Sequence, residues 1–367
     1  MKKKIKIEKL PPPFIVTFIL KIRFFLINLI NRMYPAYLVL FEKAQKFWIS
    51  KAIAVAAELE IADILEEGPK TIEEIARISG THAPSLYRVM RVLAGEGIFK
   101  EKQNKTFTLT PLAKELLEKK SSAKYMVLNV VSPVNWKLFG EMLHCIKTGE
   151  NATVKTLGAD TIFEYLEKDP KENEIYNKSM ASTSKSACAA IVAAYDFSKF
   201  KNIIDVGGGQ GYLISTILYK NEKLKGVIFD LPHVIKGSDK NFEKFGVSRR
   251  AKAIPGSFFD FIPEGADAYL LKNIIHTWDD DHCIQILKNV HKVMVTNGKL
   301  LLFETVIKED NNPSFGKLLD LQMMIATKGG KERTEKEFEE LFKKAGFKLT
   351  RIIPTAAPLS IIEVVKA

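Results

Sequence analysis

The spacing of hydrophobic residues divides the chain into an N-terminal helical part and a C-terminal part in which strands and helices alternate. Between residues 36 and 68 apolar residues recur at helical intervals, and Gly68-Pro69 ends the pattern. Two short amphipathic helices are predicted in "TIEEIARISG" and "APSLYRVMRVLAGEGIF", and "IFKEKQNKTFTLT" alternates as a hairpin does. Helix, turn, helix and hairpin in this order are typical of a winged helix-turn-helix.

From residue 202 onwards short apolar runs alternate with helical patterns. Four strands are predicted in "NIIDVGGG", "LKGVIFDLP", "ADAYLLKN" and "GKLLLFETV", and two more in the tail "FKLTRIIPTAAPLSIIEVVKA". Residues 120–200 favour further helices, including the stretches Trp136 to His144 and Glu172 to Tyr195. Strands separated by helices predict a parallel sheet with crossover helices, so the C-terminal part is expected to be an α/β domain.

A winged helix-turn-helix often binds DNA through a helix with polar or basic side chains on its outer face. In "SLYRVMRVLAGEG" only Arg88 and Arg91 are cationic, and most of the other side chains are apolar. This helix is therefore predicted to be mostly buried, and no nucleic-acid partner is expected.

Residues 1–35 form a basic and apolar N-terminal extension. They hold eight Lys or Arg and one acid, which is more than half of the formal net charge of +12. Lys21 and Arg23 interrupt the apolar run, so it is a poor candidate for a spanning helix, and a signal peptide would need a cleaner apolar stretch. Two hypotheses remain: a helix packed against a partner subunit, which the pattern favours, or a helix lying on a membrane.

The composition is that of a soluble globular protein with two domains: 367 residues, 46% hydrophobic and 27% charged. Its three cysteines, Cys145, Cys188 and Cys283, are odd in number and far apart, which fits reduced thiols better than a disulfide framework, and no zinc-ligand spacing occurs. A cytoplasmic protein is expected, peripheral at the inner membrane surface if the extension lies on a membrane.

The stretch "IIDVGGGQGYLISTIL" predicts a buried strand, a glycine turn and a helix, an arrangement that places a ligand at the carboxyl end of the strand. Gly207, Gly209 and Gly211 let the backbone approach that ligand. Asp230 ends the next strand, where a carboxylate can accept ribose hydroxyls. The G-x-G-x-G spacing and Asp205 before it favour S-adenosylmethionine over a dinucleotide, because a carboxylate suits an ammonium group and repels a pyrophosphate.

"LLKNIIHTWDDDHCIQIL" places His276 just beyond the carboxyl end of a predicted strand. An imidazole there can take a proton from a hydroxyl group. Glu304 ends the next strand and Glu332 lies in "GGKERTEKEF", so both can reach the same edge and orient the imidazole. Three acids are predicted to cap and begin a helix rather than to bind metal: Asp279, Asp280 and Asp281.

Taken together, these motifs resemble the plant-type O-methyltransferase family, which includes caffeate and acetylserotonin methyltransferases and bacterial relatives acting on small aromatic molecules. The resemblance runs from about Tyr34 to the end and rests on "DVGGGQG", "FDLPHV", "LLKNIIHTWDDDHC", "FET" and "GGKERTEKEFEELFKKAGF". It implies an α/β fold: a C-terminal class I methyltransferase Rossmann-like sheet with an N-terminal all-helical winged-helix dimerisation domain, and hence a homodimer.

The resemblance also assigns the parts of the chain and their residues. Residues 36–120 would be the dimerisation domain, 121–195 a helical connection contributing to the substrate pocket, and 196–367 the domain that binds S-adenosylmethionine. His276 would be the base, flanked by Glu304 and Glu332, and no metal is expected. The implied cofactor contacts are Ser184, Asp205, Gly207, Gly209, Gly211, Asp230, Ser257, Phe258 and Lys272. The implied substrate contacts are Met180, Met323 and Phe163.

Two positions depart from the family pattern. Ser257 stands where many members have an aspartate near the adenine, so a hydroxyl replaces a charged contact. Thr277 replaces the usual acid after the histidine, which puts one orienting interaction in doubt.

The predicted function is transfer of a methyl group from S-adenosylmethionine to the hydroxyl of a small, aromatic or apolar acceptor. Two alternatives stay open. One is a DNA-binding regulator that retains the cofactor fold. The other is a relative with altered chemistry, such as a hydroxylase or decarboxylase, against which the intact set of His276, Glu304 and Glu332 argues.

Overall fold

The computed structural model describes residues 10–119, 123–159 and 161–367. The first nine residues of the predicted basic extension therefore lie outside the described part. Up to residue 194 the described chain is mainly helical, with these elements: α1 Pro13–Arg32, α2 Ala36–Glu58, α3 Ile61–Ile64, β1 Lys70–Thr71, α4 Ile72–Ser79, α5 Ala83–Gly95, β2 Phe99–Lys102, β3 Thr106–Leu109, α6 Lys124–Val130, α7 Pro133–Gly140, α8 Met142–Thr148, α9 Thr153–Leu157, α10 Ile162–Lys168 and α11 Pro170–Ala194.

The remainder alternates between strands and helices, as the sequence predicts. Its elements are β4 Asn202–Val206, α12 Tyr212–Lys220, β5 Lys225–Asp230, α13 Pro232–Ile235, α14 Asp239–Phe245, β6 Ala251–Pro255, β7 Ala268–Lys272, α15 Asp280–Val293, β8 Lys299–Glu304, β9 Val306–Ile307, α16 Phe315–Ala326, β10 Arg333–Thr334, α17 Glu335–Lys344, β11 Phe347–Pro354 and β12 Ser360–Lys366. Short 3-10 turns cover Gln103–Lys105, Ala113–Leu116 and Ile275–Thr277.

The chain divides into two compact units whose segments alternate along the sequence. The unit that we name the sheet unit contains the described residues up to 24 together with 141–162 and 184–367. The helical unit contains residues 25–140 and 163–183. The stretch 121–195, predicted as one connecting region, is thus shared between the two units.

Seven strands form the centre of the sheet unit, in the order β11-β12-β8-β7-β4-β5-β6. The pairs β8-β7, β7-β4, β4-β5 and β5-β6 are parallel, whereas β12 is antiparallel to both β8 and β11. Four of the parallel strands and the two final strands were predicted. The fifth parallel strand, β6, extends the sheet at one edge.

Both faces of this sheet are covered, because residues that alternate along each strand enter different clusters. In β8, Leu301 and Phe303 belong to one cluster, and Leu300 and Leu302 belong to the other. These four side chains are fully buried. A strand buried on both faces has a nearly continuous apolar sequence, which explains why "LLLF" lacks alternation.

In the helical unit, α4, α5 and the β2-β3 hairpin follow one another as predicted. A capping box begins α4, where Thr71 and Glu74 bond each other's backbone amides. β1 joins the hairpin to make a three-stranded sheet in the order β1-β3-β2, so the unit is helical with one small sheet. Glu60, with φ of 54°, separates α2 from α3 within the long predicted helical stretch.

Helix α1 has no buried residue. By length and composition it is the one helix of the described chain that could cross a membrane, with a mean hydropathy of 2.0.

Candidate active site

The carboxyl ends of the parallel strands meet at one edge of the sheet and carry the predicted site residues. β4 runs into the glycine turn, β5 ends at Asp230, β7 ends at Lys272 and β8 ends at Glu304. β4 pairs with β5 on one side and with β7 on the other, so the strand order reverses there. A crevice at such a point is where open α/β sheets bind their ligands.

The glycine turn is held by the carboxylate of Asp230. The backbone amide of Gly209 donates to Oδ2 at 2.8 Å, and the amide of Leu231 donates to Oδ1 at 2.7 Å. A Cβ on Gly209 would meet no atom within 4 Å, whereas one on Gly211 would lie 2.8 Å from the ring of Phe242. Gly211 is therefore required for packing, and the backbone at Gly209 is open to a ligand.

Asp205 is a buried carboxylate that lacks partners. It is 1% exposed, and neither of its oxygens has a hydrogen-bond donor among the described residues. Burial raises the pKa of Asp205 to about 7, while Lys272 opposes this shift and Asp230 adds to it. An unpaired buried carboxylate is costly, and an ammonium group would supply the missing donors. These residues therefore fit the amino-acid end of S-adenosylmethionine.

Phe258 lies beside the glycine turn. An ideal Cβ on Gly207 would be 3.7 Å from its ring, and Nδ2 of Asn289 donates to its carbonyl at 2.9 Å, which fixes the loop after β6. Nothing in the sequence pattern pointed to Asn289, a residue of α15.

Ser257 and Ser184 bond within their own segments. Oγ of Ser257 accepts the amide of Phe259 at 3.2 Å, and Oγ of Ser184 lies 3.8 Å from Sγ of Cys188. Their contacts with the cofactor remain predictions from the family resemblance.

His276, Glu304 and Glu332 come together as predicted. Nδ1 of His276 donates to Oε1 of Glu332 at 2.7 Å and lies 3.9 Å from Oε2 of Glu304. Both carboxylate side chains are fully buried, and the imidazole is 12% exposed. Because Nδ1 is occupied, Nε2 is the ring nitrogen left for a substrate hydroxyl.

Glu304 also fixes the backbone that carries the histidine. Its Oε1 accepts the amides of Ile274 and Ile275, each at 2.9 Å. This contact explains why a glutamate at the end of β8 positions a loop that follows β7, since the two strands are neighbours.

The three groups perturb each other's protonation. Burial alone would lower the pKa of His276, but Glu304 and Glu332 raise it more, so the net shift is upward. Burial raises the pKa of Glu304 to about 7, with the positive charge of His276 opposing and Glu332 adding to the shift. The cluster therefore holds a proton near neutral pH as a unit. The upward shift of the pKa of His276 makes its imidazole a stronger proton acceptor.

Arg333 is a further residue of the site that the sequence analysis did not single out. It is 1% exposed, and its guanidinium donates to the carbonyls of Ile275 and Trp278 at 3.0 and 3.1 Å. It also donates to Oδ1 of Asp280 at 2.7 Å. Arg333 therefore fixes the backbone on both sides of His276, while the preceding residue, Glu332, fixes the imidazole. Its position within "GGKERTEKEF" was the available signal.

The three consecutive acids have the predicted helical role. Asp279 is the N-cap of α15, where its Oδ1 accepts the amide of His282 at 2.9 Å, and Asp280 and Asp281 lie in the first turn. Ligand atoms of His276, Glu304 and Glu332, in contrast, all lie within 4.8 Å of one another, a spacing that a metal ion could also use.

The predicted substrate residues are divided between the two units. Met323, in α16 of the sheet unit, is 9% exposed. Met180 and Phe163 belong to the helical unit, where Phe163 stacks edge-to-face on Tyr176 with ring centres 6.0 Å apart. Their contact with an acceptor remains a prediction.

The sheet order, the glycine turn and the histidine with its two glutamates define a methyl-transferring α/β enzyme. The O-methyltransferase domain model matches residues 139–348, and the O-methyltransferase dimerisation domain model matches residues 41–119. The chain therefore belongs to the S-adenosylmethionine-dependent O-methyltransferases, and S-adenosylmethionine is its cofactor.

Individual relatives agree over almost the whole chain. The phenazine O-methyltransferase PhzM of Lysobacter antibioticus is 39% identical over 329 residues, which are 90% of this chain and 96% of the relative. CalO1, a methyltransferase in calicheamicin biosynthesis solved with S-adenosylhomocysteine, is 30% identical with a TM-score of 0.82, over 90% of this chain and 98% of its own. NcsB1, solved with S-adenosylmethionine and 2-hydroxy-5-methyl naphthoic acid, is 31% identical with a TM-score of 0.74, over 87% and 96%.

Proposed function

We propose that this enzyme methylates the hydroxyl of a small aromatic acceptor and that His276 is its general base. The observation that carries the proposal is the 2.7 Å bond between Nδ1 of His276 and Glu332, with Glu304 fully buried beside it at the strand ends. The alternative hypothesis, that the enzyme is a hydroxylase or decarboxylase, has no comparable support. Those reactions do not need a histidine that two buried glutamates hold in place.

When bound, S-adenosylmethionine supplies an electrophilic methyl group on a sulfonium. Nε2 of His276 would accept the proton of the acceptor hydroxyl as its oxygen bonds to the methyl carbon, while the carbon–sulfur bond breaks and S-adenosylhomocysteine leaves with the bonding electron pair. Glu332 and Glu304 stabilise the imidazolium that results, because both carboxylates are buried within reach of Nδ1. The proton then leaves to solvent. Positioning of the two reactants contributes about 7–11 kcal/mol in such reactions, and base catalysis about 10²–10⁴-fold.

We assign one chemical role to each of the main residues of the predicted cofactor site. Asp205 faces the ammonium group, Asp230 accepts ribose hydroxyls, and the open backbone at Gly209 lets the ligand approach. Support comes from the orphaned oxygens of Asp205 and from the bond that holds Asp230 to the turn. Phe258 and Ser257 face the adenine. Ser184 and Lys272 are the remaining proposed contacts with the cofactor.

The acceptor is proposed to be aromatic, and Met180, Met323 and Phe163 to contact it. Support for this class comes from relatives whose names specify a phenazine or whose structures hold a naphthoic acid. Methionine and phenylalanine side chains suit a flat apolar ring.

The helical unit is proposed to be a winged helix used for dimerisation and not for DNA binding. Support comes from the match of residues 41–119 to the dimerisation model and from α5, which buries Leu86, Met90 and Leu93. DNA affinity that falls steeply with salt concentration would contradict this proposal.

A cytoplasmic location, with peripheral contact at the inner membrane surface through residues 1–35, is also proposed. Support comes from the exposed apolar helix α1 and from the basic residues of this segment. Fractionation of cells that express the full chain or a chain lacking residues 1–35 tests it, because only the full chain should sediment with membranes.

The test of the catalytic proposal is His276→Ala. Turnover is expected to fall at least about a hundredfold because the base is lost, while calorimetric affinity for S-adenosylmethionine stays unchanged. His82→Ala, at an exposed histidine of the helical unit, is the matched control. Turnover by His276→Ala close to that of the control would remove the histidine from this role. Since no metal takes part in the proposed step, dialysis against EDTA should leave turnover unchanged.

A further inference from the structure

Helix α1 presents an apolar surface that nothing in the described chain buries. Its bulky side chains are open to solvent, with Phe14 at 73% exposure, Phe18 at 63% and Phe25 at 67%. Apolar area of this extent is normally covered, so α1 is expected to have a partner. The dimerisation model begins at residue 41, after the end of α1.

One face of α1 is entirely apolar and has cations at its two borders, while the opposite face mixes polar and apolar residues: Thr17, Asn28, Asn31, Leu20, Phe24 and Ile27. Each residue advances about 100° around a helix. Lys21 and Arg23 are the sequence neighbours of Ile22, so they stand on opposite sides of it. The face centred on Ile22 contains Ile15, Phe18, Ile19, Ile22, Phe25, Leu26 and Leu29. An apolar face bordered by cations suits a helix that lies in the membrane interface, because the long side chains of Lys21 and Arg23 can reach the headgroups.

A spanning orientation does not suit this helix. Lys21 and Arg23 stand near the middle of its 20 residues, so both charges would lie near the centre of the bilayer. In an interfacial orientation the same charges stay at headgroup level, because their long side chains extend from the borders of the apolar face.

A second copy of α1 does not suit it either. Residues 13–32 contain three cations, Lys21, Arg23 and Arg32, and no acid. Two such helices packed through their apolar faces would bring like charges together along the seam. Anionic headgroups provide the complementary charge, and five lysines in residues 1–9 add to the attraction in sequence terms.

We propose that α1 lies flat in the surface of an anionic bilayer, with the Ile22 face toward the acyl chains and Lys21, Arg23 and Arg32 at the headgroups. This inference deepens the membrane contact proposed above and rests on it. It specifies the face, the orientation and the lipid charge.

The first experiment measures flotation of the full chain with vesicles of phosphatidylcholine alone or with added phosphatidylglycerol. Binding is expected with the anionic vesicles and is expected to weaken with salt. The double variant Lys21→Glu and Arg23→Glu should lose most of it. Lys100→Glu with Lys102→Glu, which reverses two exposed charges at the same spacing, should bind like the unchanged chain. Absence of binding by the unchanged chain would overturn both this inference and the membrane contact, and equal binding to both vesicles would overturn the lipid charge.

The second experiment determines orientation with an environment-sensitive fluorophore on a single new thiol. Ile22→Cys and Leu20→Cys place the label at nearly the same height along the helix but on nearly opposite faces. The native cysteines are buried, so labelling is directed to the new site, and the unchanged chain reports any background. On anionic vesicles the label at 22 should shift to the blue and be shielded from iodide, while the label at 20 stays quenchable.

Equal shielding at both positions would indicate a spanning helix and would overturn the orientation while leaving the membrane contact in place. Methyl transfer measured without vesicles is an independent measurement. Loss of methyl transfer would count against the catalytic proposal and not against the proposed membrane binding of α1.

Discussion

Buried charge surrounds His276, the proposed base. Glu332 bonds Nδ1, Glu304 bonds the backbone before the histidine, and both lie out of contact with solvent. Two adjacent buried carboxylates repel each other unless a proton or a cation lies between them. The imidazole is therefore held where accepting a proton relieves this repulsion.

Glu332→Gln should move the pH dependence of turnover. Because the carboxylate raises the pKa of His276, its removal lowers that pKa, and the neutral imidazole that acts as base persists to lower pH. The acid limb of kcat against pH should therefore shift to lower pH. The plateau should fall about ten- to a hundredfold, since the imidazolium loses a partner. Glu339→Gln, at an exposed position of α17, is the control and should leave the profile in place. An unmoved acid limb in Glu332→Gln would contradict the assignment of Glu332.

Arg333→Lys should separate positioning from proton transfer. A lysine cannot reproduce the fork that bonds the carbonyls of Ile275 and Trp278 and the carboxylate of Asp280, so the loop that carries His276 loosens. We expect kcat to fall about tenfold or more with KM for S-adenosylmethionine unchanged, and stability to fall by about 1–3 kcal/mol in urea unfolding.

Two readouts distinguish this role from a purely structural one. The acid limb of the pH profile should stay in place in Arg333→Lys, unlike in Glu332→Gln. Lys331→Gln removes another cation that bonds Asp280 but is 39% exposed, so its kcat should be close to that of the unchanged enzyme. A normal kcat of the Arg333→Lys enzyme would mean that the guanidinium of Arg333 does not position the loop that carries His276.

At the scale of elements, the strands could be predicted where both faces are buried. Apolar runs identified β4, β5, β7 and β8, and the two final strands, β11 and β12, were predicted in the tail. β6, the edge strand "AKAIP", is mostly exposed, so it has no apolar run to mark it. The segment before α17 was known from its motif, but its contact with the loop after β7 depends on packing.

That contact is tight at Gly330. A Cβ there would lie 2.6 Å from the carbonyl oxygen of His276 and 2.9 Å from the carbonyl carbon of Thr277. Gly330→Ala should therefore displace the loop that carries His276 and lower kcat about tenfold. The free energy of unfolding should fall by about 1–3 kcal/mol. Gly95→Ala, where the added Cβ meets nothing within 4 Å inside α5, should keep full activity and gain up to about 1 kcal/mol. Equal activity of the two variants would show that the close approach has no catalytic consequence.

At the scale of the whole molecule, the two units are not consecutive stretches of sequence. The chain leaves the helical unit at residue 140, returns for 163–183 and leaves again, with α11 contributing to both. Sequence patterns mark helices well but do not show which core a helix joins. The predicted connecting region, residues 121–195, is continuous in sequence, but its residues belong to both units.

Dimerisation should not depend on α1. The dimerisation model covers residues 41–119, and α2 exposes Tyr37, Phe41 and Trp48 at 72%, 57% and 56%. These three residues share one helical face, since they are spaced by four and seven positions. Light scattering should give the mass of a dimer for both the full chain and a chain that lacks residues 1–35, and methyl transfer should persist in the shorter chain. A monomeric shortened chain would favour the hypothesis that α1 packs against the partner subunit.

The sequence by itself determined the fold class and the cofactor loop, and it predicted that His276, Glu304 and Glu332 lie together at the strand ends. These follow from local patterns: strand periodicity, glycine spacing and the placement of chemical groups at strand ends, where a parallel sheet collects them. Only the tertiary structure decided that Arg333 and Gly330 contact the loop that carries His276 and that Gly211 is needed for packing. It also decided that the carboxylate of Asp205 has no hydrogen-bond partner among the described residues. Those roles depend on distances between segments far apart in the chain, and such distances are set by packing.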